Sequence, residues 1–556
     1  MFTAKQKQLF EINKKTSASS NPFLTQGLKK AAVTTTGNGA KAFSSLDDEF
    51  CTDFANLGNY KEPREYKLIA NLMAILWAIS PILTFKLSLY TRIITRKVQL
   101  WNGESTSDVQ KGLGLKHEGI FRFMWIAINK PTIFWKNIHL IISVGSWKDI
   151  ITMLSYDLQY NGWDNRVLNW TAFGDLLLAG LENPNTSELV KKYLPQIKSN
   201  NACTTLESQA DNMISKWICS LLFGNKLDSS TYKKYRKLKS SGTAHQWQQL
   251  ISQRKHSLVN FDTIHGRALS LLVSSKYLKN QGLESKYTAW IESKPVAKFT
   301  GYVYELASKI SHTMTPYQRT TIDKQYQGLL ELAGKTRGDV NFIVLKDTST
   351  SMDSMAYGTK VSSYHVAKSL SIYFANLLTG YFHNHYIDFS QNAILRAIKG
   401  STFTEHWQTE TRQASANTNF LSVARLFAEI KGKGVAEKDF PNGLVVISDG
   451  EFDKTGMHND SNIKAFREIL KAAGFSREYR DNLTFVFWDI RNTFYGNTNR
   501  PFQTYNSEKY KVFYFGGYDG SVLSFLTGVK DKPAPKNQKE LFDAAMDQEV
   551  LNMIEL

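Results

Sequence analysis

Short apolar runs alternate with amphipathic segments along the C-terminal part of the chain, from about residue 339 onward. Such runs are typical of strands buried on both faces, and the segments between them have apolar residues at helical spacing. The pattern predicts strands at residues 342–345, 386–389, 393–398, 444–447, 483–488 and 512–515, and helices at residues 360–378, 420–430, 463–473 and 522–526. Strands that alternate with helices form a mostly parallel sheet covered by helices. We therefore predict an α/β domain over residues 339–535.

Residues 45–338 have a different pattern, which predicts an all-α domain. Apolar residues recur at three- and four-residue spacing in segments 133–143, 167–181, 213–223, 263–278 and 301–310. No strand-like alternation stands out, and a chain of 556 residues is too long for a single hydrophobic core. At the two ends, we expect residues 1–44 to form a polar, partly extended arm and residues 536–556 to form an amphipathic helix near 538–554.

One uncharged segment, residues 68–85, is barely long enough to cross a bilayer. Because Pro81 would break a helix there, we interpret the segment as two buried helices rather than a membrane span. The three cysteines, Cys51, Cys203 and Cys219, are odd in number and widely spaced, which does not favour a disulfide framework or a zinc site. The N-terminus has no apolar secretory segment. These features favour a reducing, cytoplasmic location.

Oxygen-bearing side chains follow two of the predicted strands, at the ends where parallel sheets bind ligands. Asp347, Ser349 and Ser351 come directly after the first strand, and Asp449 follows the strand at 444–447. Thr418, in a loop that precedes a predicted helix, adds a third hydroxyl. Two carboxylates, several hydroxyls and room for water suit Mg²⁺ or another divalent cation, and leave a nearly neutral site that can accept an acidic group. A chance serine-rich loop is the alternative interpretation.

The same five residues resemble the metal-ion-dependent adhesion site of von Willebrand factor A domains. The whole chain resembles the family in which a helical TROVE module precedes such a domain, the Ro ribonucleoprotein family. It is most similar to a little-characterised plant and phage branch of that family. The stretches that carry the resemblance are residues 36–40, 44–45, 145–150, 235–237, 418–420, 448–453, 487–489 and 516–520.

This resemblance implies a role for each residue of the metal site. Ser349, Ser351 and Thr418 would contact the metal through their hydroxyls, and Asp347 and Asp449 would hold it directly or through water. The resemblance also implies that the helical region consists of HEAT-type hairpins closed into a ring, with a Rossmann-like A domain joining the ends. It further implies binding of structured or misfolded RNA on the ring surface and at its central hole.

Positive charge is concentrated in the N-terminal part of the chain. Residues 339–556 contain 24 Lys and Arg against 25 Asp and Glu, a net charge of −1, which leaves 44 against 25, or +19, for residues 1–338. This asymmetry favours a polyanionic partner, nucleic acid before a membrane surface. A basic domain without such a partner is the alternative.

A basic segment with interleaved tyrosines is the candidate RNA site. Lysines and arginines neutralise phosphates, and tyrosines stack on unpaired bases. The candidate residues are Lys216, Tyr232, Lys233, Lys234, Tyr235, Arg236, Lys237, Lys239, Arg254, Lys255, Arg267 and Lys276, with Lys279 beside them. A solvated helix face is the alternative interpretation of any such charge run.

The sequence contains no Ser/His/Asp constellation and no phosphate-binding loop, so we do not expect an enzyme. The function that we predict is that of a monomeric, membrane-independent RNA-binding component of a ribonucleoprotein, with a Mg²⁺-dependent A domain that binds a ligand or partner. One alternative is a protein-interaction or structural component, including a phage-borne one, whose metal site binds an acidic residue of a partner. Another is a subunit of a metal-chelatase or ATPase assembly. The charge asymmetry favours RNA binding, because an adhesion role of the metal site gives no reason for a net charge of +19 on residues 1–338.

Overall fold

The computed structural model describes residues 33–36, 38, 41–43, 46, 48–224, 226–242, 246–264, 266–333, 341–454, 462–490, 502, 511–520, 523–527 and 534–556. Within these ranges a helical region is followed by an α/β region with a six-stranded sheet, which is the predicted fold class. Residues 1–32 of the predicted arm, the predicted boundaries at residues 44 and 338, and residue 522 of the last predicted helix lie outside the described residues.

The helical region is preceded by a short antiparallel hairpin, so part of the predicted arm has regular structure. Its strands are β1 (Val33–Thr35) and β2 (Lys41–Phe43). The helices that follow are α1 (Glu49–Leu57), α2 (Tyr66–Ile79), α3 (Pro81–Arg92), α4 (Lys116–Asn129), α5 (Pro131–Lys136), α6 (Ile138–Val144), α7 (Trp147–Asn161), α8 (Trp170–Glu182), α9 (Ser187–Tyr193), α10 (Leu206–Phe223), α11 (Ser229–Ser240), α12 (Gln246–Ser252), α13 (Gly266–Ser274), α14 (Tyr277–Asn280), α15 (Glu284–Glu292), α16 (Val303–Ala307) and α17 (Pro316–Ala333).

The uncharged segment at residues 68–85 forms two helices, as predicted, but they are only partly buried, since Leu68, Ile75 and Ile79 are exposed. α2 ends at Ile79, and α3 begins at Pro81, where the missing N–H leaves no bond unmade in the first turn. Ser80 caps α3 by accepting a hydrogen bond from the N–H of Leu83 at 3.4 Å. In the described part of the chain, no helix has both the length and the apolar character needed to cross a membrane.

Two of the predicted helices are each divided in the structure. Segment 133–143 forms α5 and α6, which meet at Asn137, whose amide donates to the carbonyls of Ile133 and Glu555 at 2.9 and 2.5 Å. Segment 263–278 forms α13 and α14, and α13 begins only at Gly266, whose φ is +63° and whose N–H donates to the carbonyl of Lys298. Both breaks involve partners distant in sequence, which apolar spacing does not reveal.

The α/β region has the sheet that the sequence predicts. Its strands are β3 (Phe342–Asp347), β4 (His385–Phe389), β5 (Ala393–Ala397), β6 (Gly443–Ser448), β7 (Thr484–Asp489) and β8 (Val512–Gly516), and its helices are α18 (Ser363–Leu377), α19 (Phe403–Thr409), α20 (Leu421–Gly432), α21 (Asn462–Ala472), α22 (Arg477–Asn482), α23 (Leu523–Thr527) and α24 (Gln538–Met546). The strand order is β5-β4-β3-β6-β7-β8, parallel throughout except that β5 runs antiparallel to β4. Every residue of β3 and β6 is buried, so both faces of the sheet centre are covered.

Both ends of the helical region pack against the α/β region. At its start α1 lies on β8, and the backbones approach so closely that a Cβ on Gly517 would lie 2.1 Å from the carbonyl oxygen of Gly58. At its end α16 and α17 pack on α18. The α/β region therefore connects the two ends of the helical region, as the resemblance implies.

The C-terminal helix is shorter than predicted. α24 ends at Met546, and a 3₁₀ turn follows at Glu549–Met553. Between them the side chain of Gln548 accepts from the N–H of Lys111 at 2.6 Å and donates to the carbonyl of Lys111 at 2.9 Å. The end of the chain thus returns to the helical region, where this pair of hydrogen bonds replaces a further helical turn.

The described residues form two hydrophobic cores. The larger runs without a break from α1 through the helices to the sheet. The smaller is formed by α13–α15 and the start of α17, around residues such as Leu278 and Tyr287. The distal part of the helical region is therefore a separately packed unit.

Candidate metal centre and basic surface

The structure brings the predicted metal residues together at the carboxyl edge of the sheet. β3 ends in Asp347 and β6 is followed by Asp449, and the two strands are parallel neighbours. The loop that carries Thr418 joins the same edge, since the N–H of Asp453 donates to the carbonyl of Thr418 at 3.1 Å. Asp347, Ser349, Thr418 and Asp449 are all buried, and Ser351 is half-buried.

Hydroxyl groups surround the Asp347 carboxylate. Ser448 donates to one carboxylate oxygen at 2.6 Å, and the N–H of Ser349 donates to the other at 2.9 Å. The hydroxyls of Ser349 and Ser351 lie 3.0 Å apart. The Thr418 hydroxyl is buried and has no hydrogen-bond partner among the described residues. A buried hydroxyl without a partner costs free energy, so it marks a position where a ligand is expected.

The electrostatics of this site also fit a cation. Burial, together with the nearby Asp449 carboxylate, raises the pKa of Asp347 to about 7. Two carboxylates that share a buried site disfavour each other's ionisation until a positive charge compensates them. The described residues hold no cluster of three or more His, Cys, Asp or Glu side chains that would suit a metal, so the hydroxyls must complete any ligand set. Two carboxylates with hydroxyls is a donor set that Mg²⁺ accepts.

Arg412 supports the metal loop, and sequence reasoning missed it. Its guanidinium donates to the carbonyls of Ser349 at 2.6 Å and Thr348 at 3.2 Å, and also contacts Asp353. It stacks over the ring of Tyr364, with 4.1 Å between its central carbon and the ring centroid. No motif marks this residue, because its partners are mainly backbone carbonyls.

A buried ionic network lies directly beneath the loop. Lys346, the residue before Asp347, is buried and pairs with Asp388 at 3.1 Å and with Glu410. Lys368 pairs with the same Glu410 at 2.9 Å. Despite burial, these ammonium groups lower the pKa of Glu410 to about 2. The charge of Lys346 is therefore already paired, and its ammonium group does not occupy the position that a cation would take beside Asp347.

The predicted RNA residues fall into an exposed group and a structural group. On α11, Lys233, Lys234, Arg236 and Lys237 are exposed, and none has an ion-pair partner within the described part of the chain. Tyr232, on the same helix, is half-buried. These residues form what we call the α11 basic face.

Three of the predicted RNA residues have structural roles instead. Tyr235 is fully buried and its hydroxyl donates to the carbonyl of Pro195 at 2.9 Å, so the prediction that it stacks on bases is wrong. Arg267 forms two hydrogen bonds with Glu305, at 2.8 and 2.9 Å, so its charge is already paired. Lys239 is half-buried and donates to the carbonyl of Leu194.

The remaining predicted residues lie on other elements than α11. Lys216 is half-buried on α10. Arg254, Lys255 and Lys276 are exposed, but they belong to segments that pack in the smaller core. RNA binding by these residues stays a prediction, and the exposed cations are most concentrated on the α11 basic face.

A groove of about 680 Å³ adjoins the α11 basic face. It lies between α9, α11 and α12, and its lining includes Lys191, Lys192, Arg236, Gln248, Gln249 and Gln253. Sequence reasoning missed the two lysines of α9 and the glutamines of α12. The glutamine-rich run at 246–249 was the available signal, since glutamine side chains can both donate and accept hydrogen bonds.

Residues 341–550 match the model of a family described as a domain of unknown function, DUF7788, which covers less than half of the chain. No curated protein matches it. Among solved structures, the chain is similar to the crystal structure of the Deinococcus radiodurans RO (RSR) protein, with 9% identity, a TM-score of 0.32, and coverage of 86% of this chain and 93% of that one. A similarity at this level supports no argument about function, and the TROVE resemblance stays a prediction.

Proposed function

We propose that this chain is an RNA-binding protein whose α11 basic face and adjoining groove bind the RNA backbone. The observation that carries the proposal is that four neighbouring cations, Lys233, Lys234, Arg236 and Lys237, are exposed without ion-pair partners among the described residues. A solvated structural helix commonly pairs such charges with acidic residues three or four positions away. On α11 no acidic residue offers that pairing between Ser229 and Ser240.

The groove next to the α11 basic face adds further positive charge and side chains that can contact bases, which a surface that binds only the RNA backbone lacks. Lys191 and Lys192 extend the positive charge across the groove, although Lys191 also pairs with Glu188 at 3.0 Å. On the other wall, the side chains of Gln248 and Gln253 can form hydrogen bonds with base edges. The amide of Gln249 already donates to the carbonyls of Ser240 and Gly242. Phosphate contacts supply most of the affinity and position the RNA, whereas contacts to bases discriminate.

The metal centre has a separate role in this proposal. Asp347, Ser349, Ser351, Thr418 and Asp449 would hold Mg²⁺ or another divalent cation, and the ion would supply a Lewis-acidic point that takes an oxygen ligand from a partner. The buried Thr418 hydroxyl without a partner among the described residues supports this assignment. We do not assign the chain a catalytic activity.

The test compares two quadruple variants of the full chain. The first variant changes four residues of the α11 basic face to Ala: Lys233, Lys234, Arg236 and Lys237. The control variant removes the same number and kind of charges from exposed positions of the α/β region: Lys360, Lys399, Arg425 and Lys438. Affinity for a single-stranded RNA is measured at several salt concentrations. Each lost phosphate contact lowers the slope of log K against log salt by roughly 0.7, so the first variant should lose up to about 3 from the slope. An unchanged slope, or an equal loss in both variants, refutes the proposal.

The second candidate function is a protein-interaction component whose metal centre binds an acidic side chain of a partner. The metal-centre geometry favours it independently of the basic face. Absorbance at 260 nm of the protein purified from its native cells discriminates the two. Copurified nucleic acid favours the first function, whereas a nucleic-acid-free protein that captures a partner only in the presence of Mg²⁺ favours the second.

A further inference from the structure

A second cavity, of about 330 Å³, opens between α4, α7, α9 and α10. Cavities of roughly 300 Å³ and larger hold small ligands. Lys192 lines both this cavity and the groove beside the α11 basic face. The two concave surfaces are therefore neighbours joined at one lysine. Neither the metal centre nor the α11 basic face uses the cavity.

Cations line one part of this cavity. Lys116, Lys148 and Lys192 all contribute to its wall. Lys116 and Lys148 have no ion-pair partner within the described part of the chain. Lys116 is half-buried, and desolvation by burial lowers its pKa. Asp149 and Glu207 act on the Lys116 ammonium only at longer range. A half-buried ammonium that forms no close ion pair among the described residues can stabilise an anionic group that enters the cavity.

Carboxylates line another part of the same cavity. Glu207 and Asp211 lie one turn apart on α10, and both belong to the cavity wall. Burial and the neighbouring Glu207 raise the pKa of Asp211. These groups accept hydrogen bonds from N–H donors. The cavity therefore fits a ligand that is anionic at one end and bears hydrogen-bond donors at the other.

Aromatic rings also belong to the cavity wall, together with the lysines and the carboxylates. The rings of His117 and Tyr156 line the cavity, and Nδ1 of His117 is hydrogen-bonded to the Tyr156 hydroxyl. Burial and the adjacent Lys116 lower the pKa of His117, so the imidazole is uncharged at neutral pH. The contact fixes both rings, and fixed rings give an apolar surface against which a planar base can lie.

We propose that this cavity binds one unpaired RNA nucleotide whose base carries an exocyclic amino group. The phosphate lies against Lys116, Lys148 and Lys192, and the amino group donates to Glu207 or Asp211. Uracil presents a carbonyl oxygen where cytosine presents the amino group, so the carboxylates disfavour it. This inference rests on the proposed function, because the groove would carry the rest of the strand to the cavity through Lys192.

The experiment titrates the full chain with CMP, UMP and inorganic phosphate by calorimetry. CMP is expected to bind about tenfold more tightly than UMP, the lower end of what one good carboxylate-to-base contact contributes. Phosphate alone should bind more weakly than CMP. Lys116→Ala with Lys148→Ala should weaken CMP and UMP alike, and Glu207→Ala with Asp211→Ala should bring CMP down to UMP. The matched control, Lys67→Ala with Lys298→Ala, removes two exposed lysines that line neither the cavity nor the groove, and it should leave the affinities for CMP and UMP unchanged.

Three results would overturn the inference. They are equal affinities for CMP and UMP, phosphate binding as tight as CMP binding, and CMP binding that survives the Lys116/Lys148 variant. Thermal melting of each variant checks that it is folded. The α11 quadruple variant separates this inference from the proposed function, since it should bind CMP normally. If that variant also binds long RNA normally while CMP still discriminates from UMP, the α11 basic face is wrong and the cavity stands.

Discussion

The Thr36 hydroxyl donates a hydrogen bond of 2.7 Å to the carbonyl oxygen of Phe452, 416 residues further along the chain. Next to it, the Asn38 amide donates to the carbonyl of Glu451 at 2.7 Å and to the carboxylate of Asp453 at 3.2 Å. All three bonds reach the loop that directly follows Asp449. The N-terminal hairpin therefore holds one of the loops of the candidate metal centre.

Removing this contact should loosen the loop without unfolding the sheet. Thr36→Val with Asn38→Ala is expected to cost about 1 kcal/mol for each hydrogen bond lost. Each loss of about 1 kcal/mol should make amide exchange at residues 450–453 roughly fivefold faster, measured by hydrogen–deuterium exchange. Thr313→Val, at an exposed threonine of the helical region, serves as the control. Equal exchange in both variants would show that the hairpin does not hold the loop.

Loss of two metal ligands should abolish Mg²⁺ binding and leave the fold intact. Asp347→Ala with Ser349→Ala removes the carboxylate at the end of β3 and one hydroxyl from the loop that follows it, and neither residue belongs to the hydrophobic core. Calorimetry with Mg²⁺ and thermal melting measure binding and folding separately. Asp439→Ala with Ser401→Ala, at exposed positions, is the matched control. Unchanged Mg²⁺ affinity in the first variant would exclude the assigned site.

The ionic network around Glu410 should make stability sensitive to acid. The pKa of Glu410 is lowered from 4.5 to about 2 in the folded protein, so its stabilisation is complete above pH 4.5 and lost as the pH falls toward 2. At about 1.4 kcal/mol per pKa unit, the loss is roughly 3 kcal/mol. Urea unfolding of the wild type and Glu410→Gln should differ most near pH 6 and converge toward pH 2. A difference that is constant with pH would mean that the ion pairs contribute nothing.

Three tyrosines surround the Lys61 ammonium where the ends of the helical region meet the α/β region. The ammonium lies 4.8 Å from the ring centre of Tyr304, 5.5 Å from Tyr302 and 6.0 Å from Tyr518. Cation–π contacts contribute about 0.5–2 kcal/mol, so Lys61→Met should lower the free energy of unfolding by that order. Lys67→Met, at an exposed position of α2, should have no effect. If both variants unfold at the same urea concentration, the contacts between Lys61 and the three tyrosines do not stabilise the protein.

The sheet and the placement of Asp347 and Asp449 at one of its edges were predictable because their signals are local. Strands buried on both faces are continuous apolar runs, as at residues 444–447, and their order places Asp347 and Asp449 at one edge. Arg412 was not predictable, because it acts through the carbonyls of Thr348 and Ser349, which every residue has. Thr36 was not predictable as a partner of the metal loop for the same reason.

The basic face was only partly predictable, although its helix was clear. Thr231, Tyr235 and Leu238 follow the four- and three-residue spacing of one helix face, and that face is turned inward, with Tyr235 at its centre. Both tyrosines were predicted to bind RNA because they lie among lysines and arginines. Helical periodicity, however, places Tyr235 and not Tyr232 on the inward face. The groove depends on α9 and α12 meeting α11, which is tertiary information that no local pattern contains.

The two tyrosines of α11 should therefore behave differently. Tyr232 is half-buried beside Lys233, and if it stacks on a base, Tyr232→Ala should weaken RNA binding by about 1–3 kcal/mol with little change in salt slope. Tyr235→Phe removes only the hydroxyl that donates to Pro195, so it should cost about 1 kcal/mol of stability and leave RNA affinity unchanged. Melting temperatures and RNA titrations at two salt concentrations measure both quantities for each variant. Reduced RNA affinity in a fully folded Tyr235→Phe variant would contradict the burial of this ring, and an unaffected Tyr232→Ala variant would confine the α11 basic face to phosphate contacts.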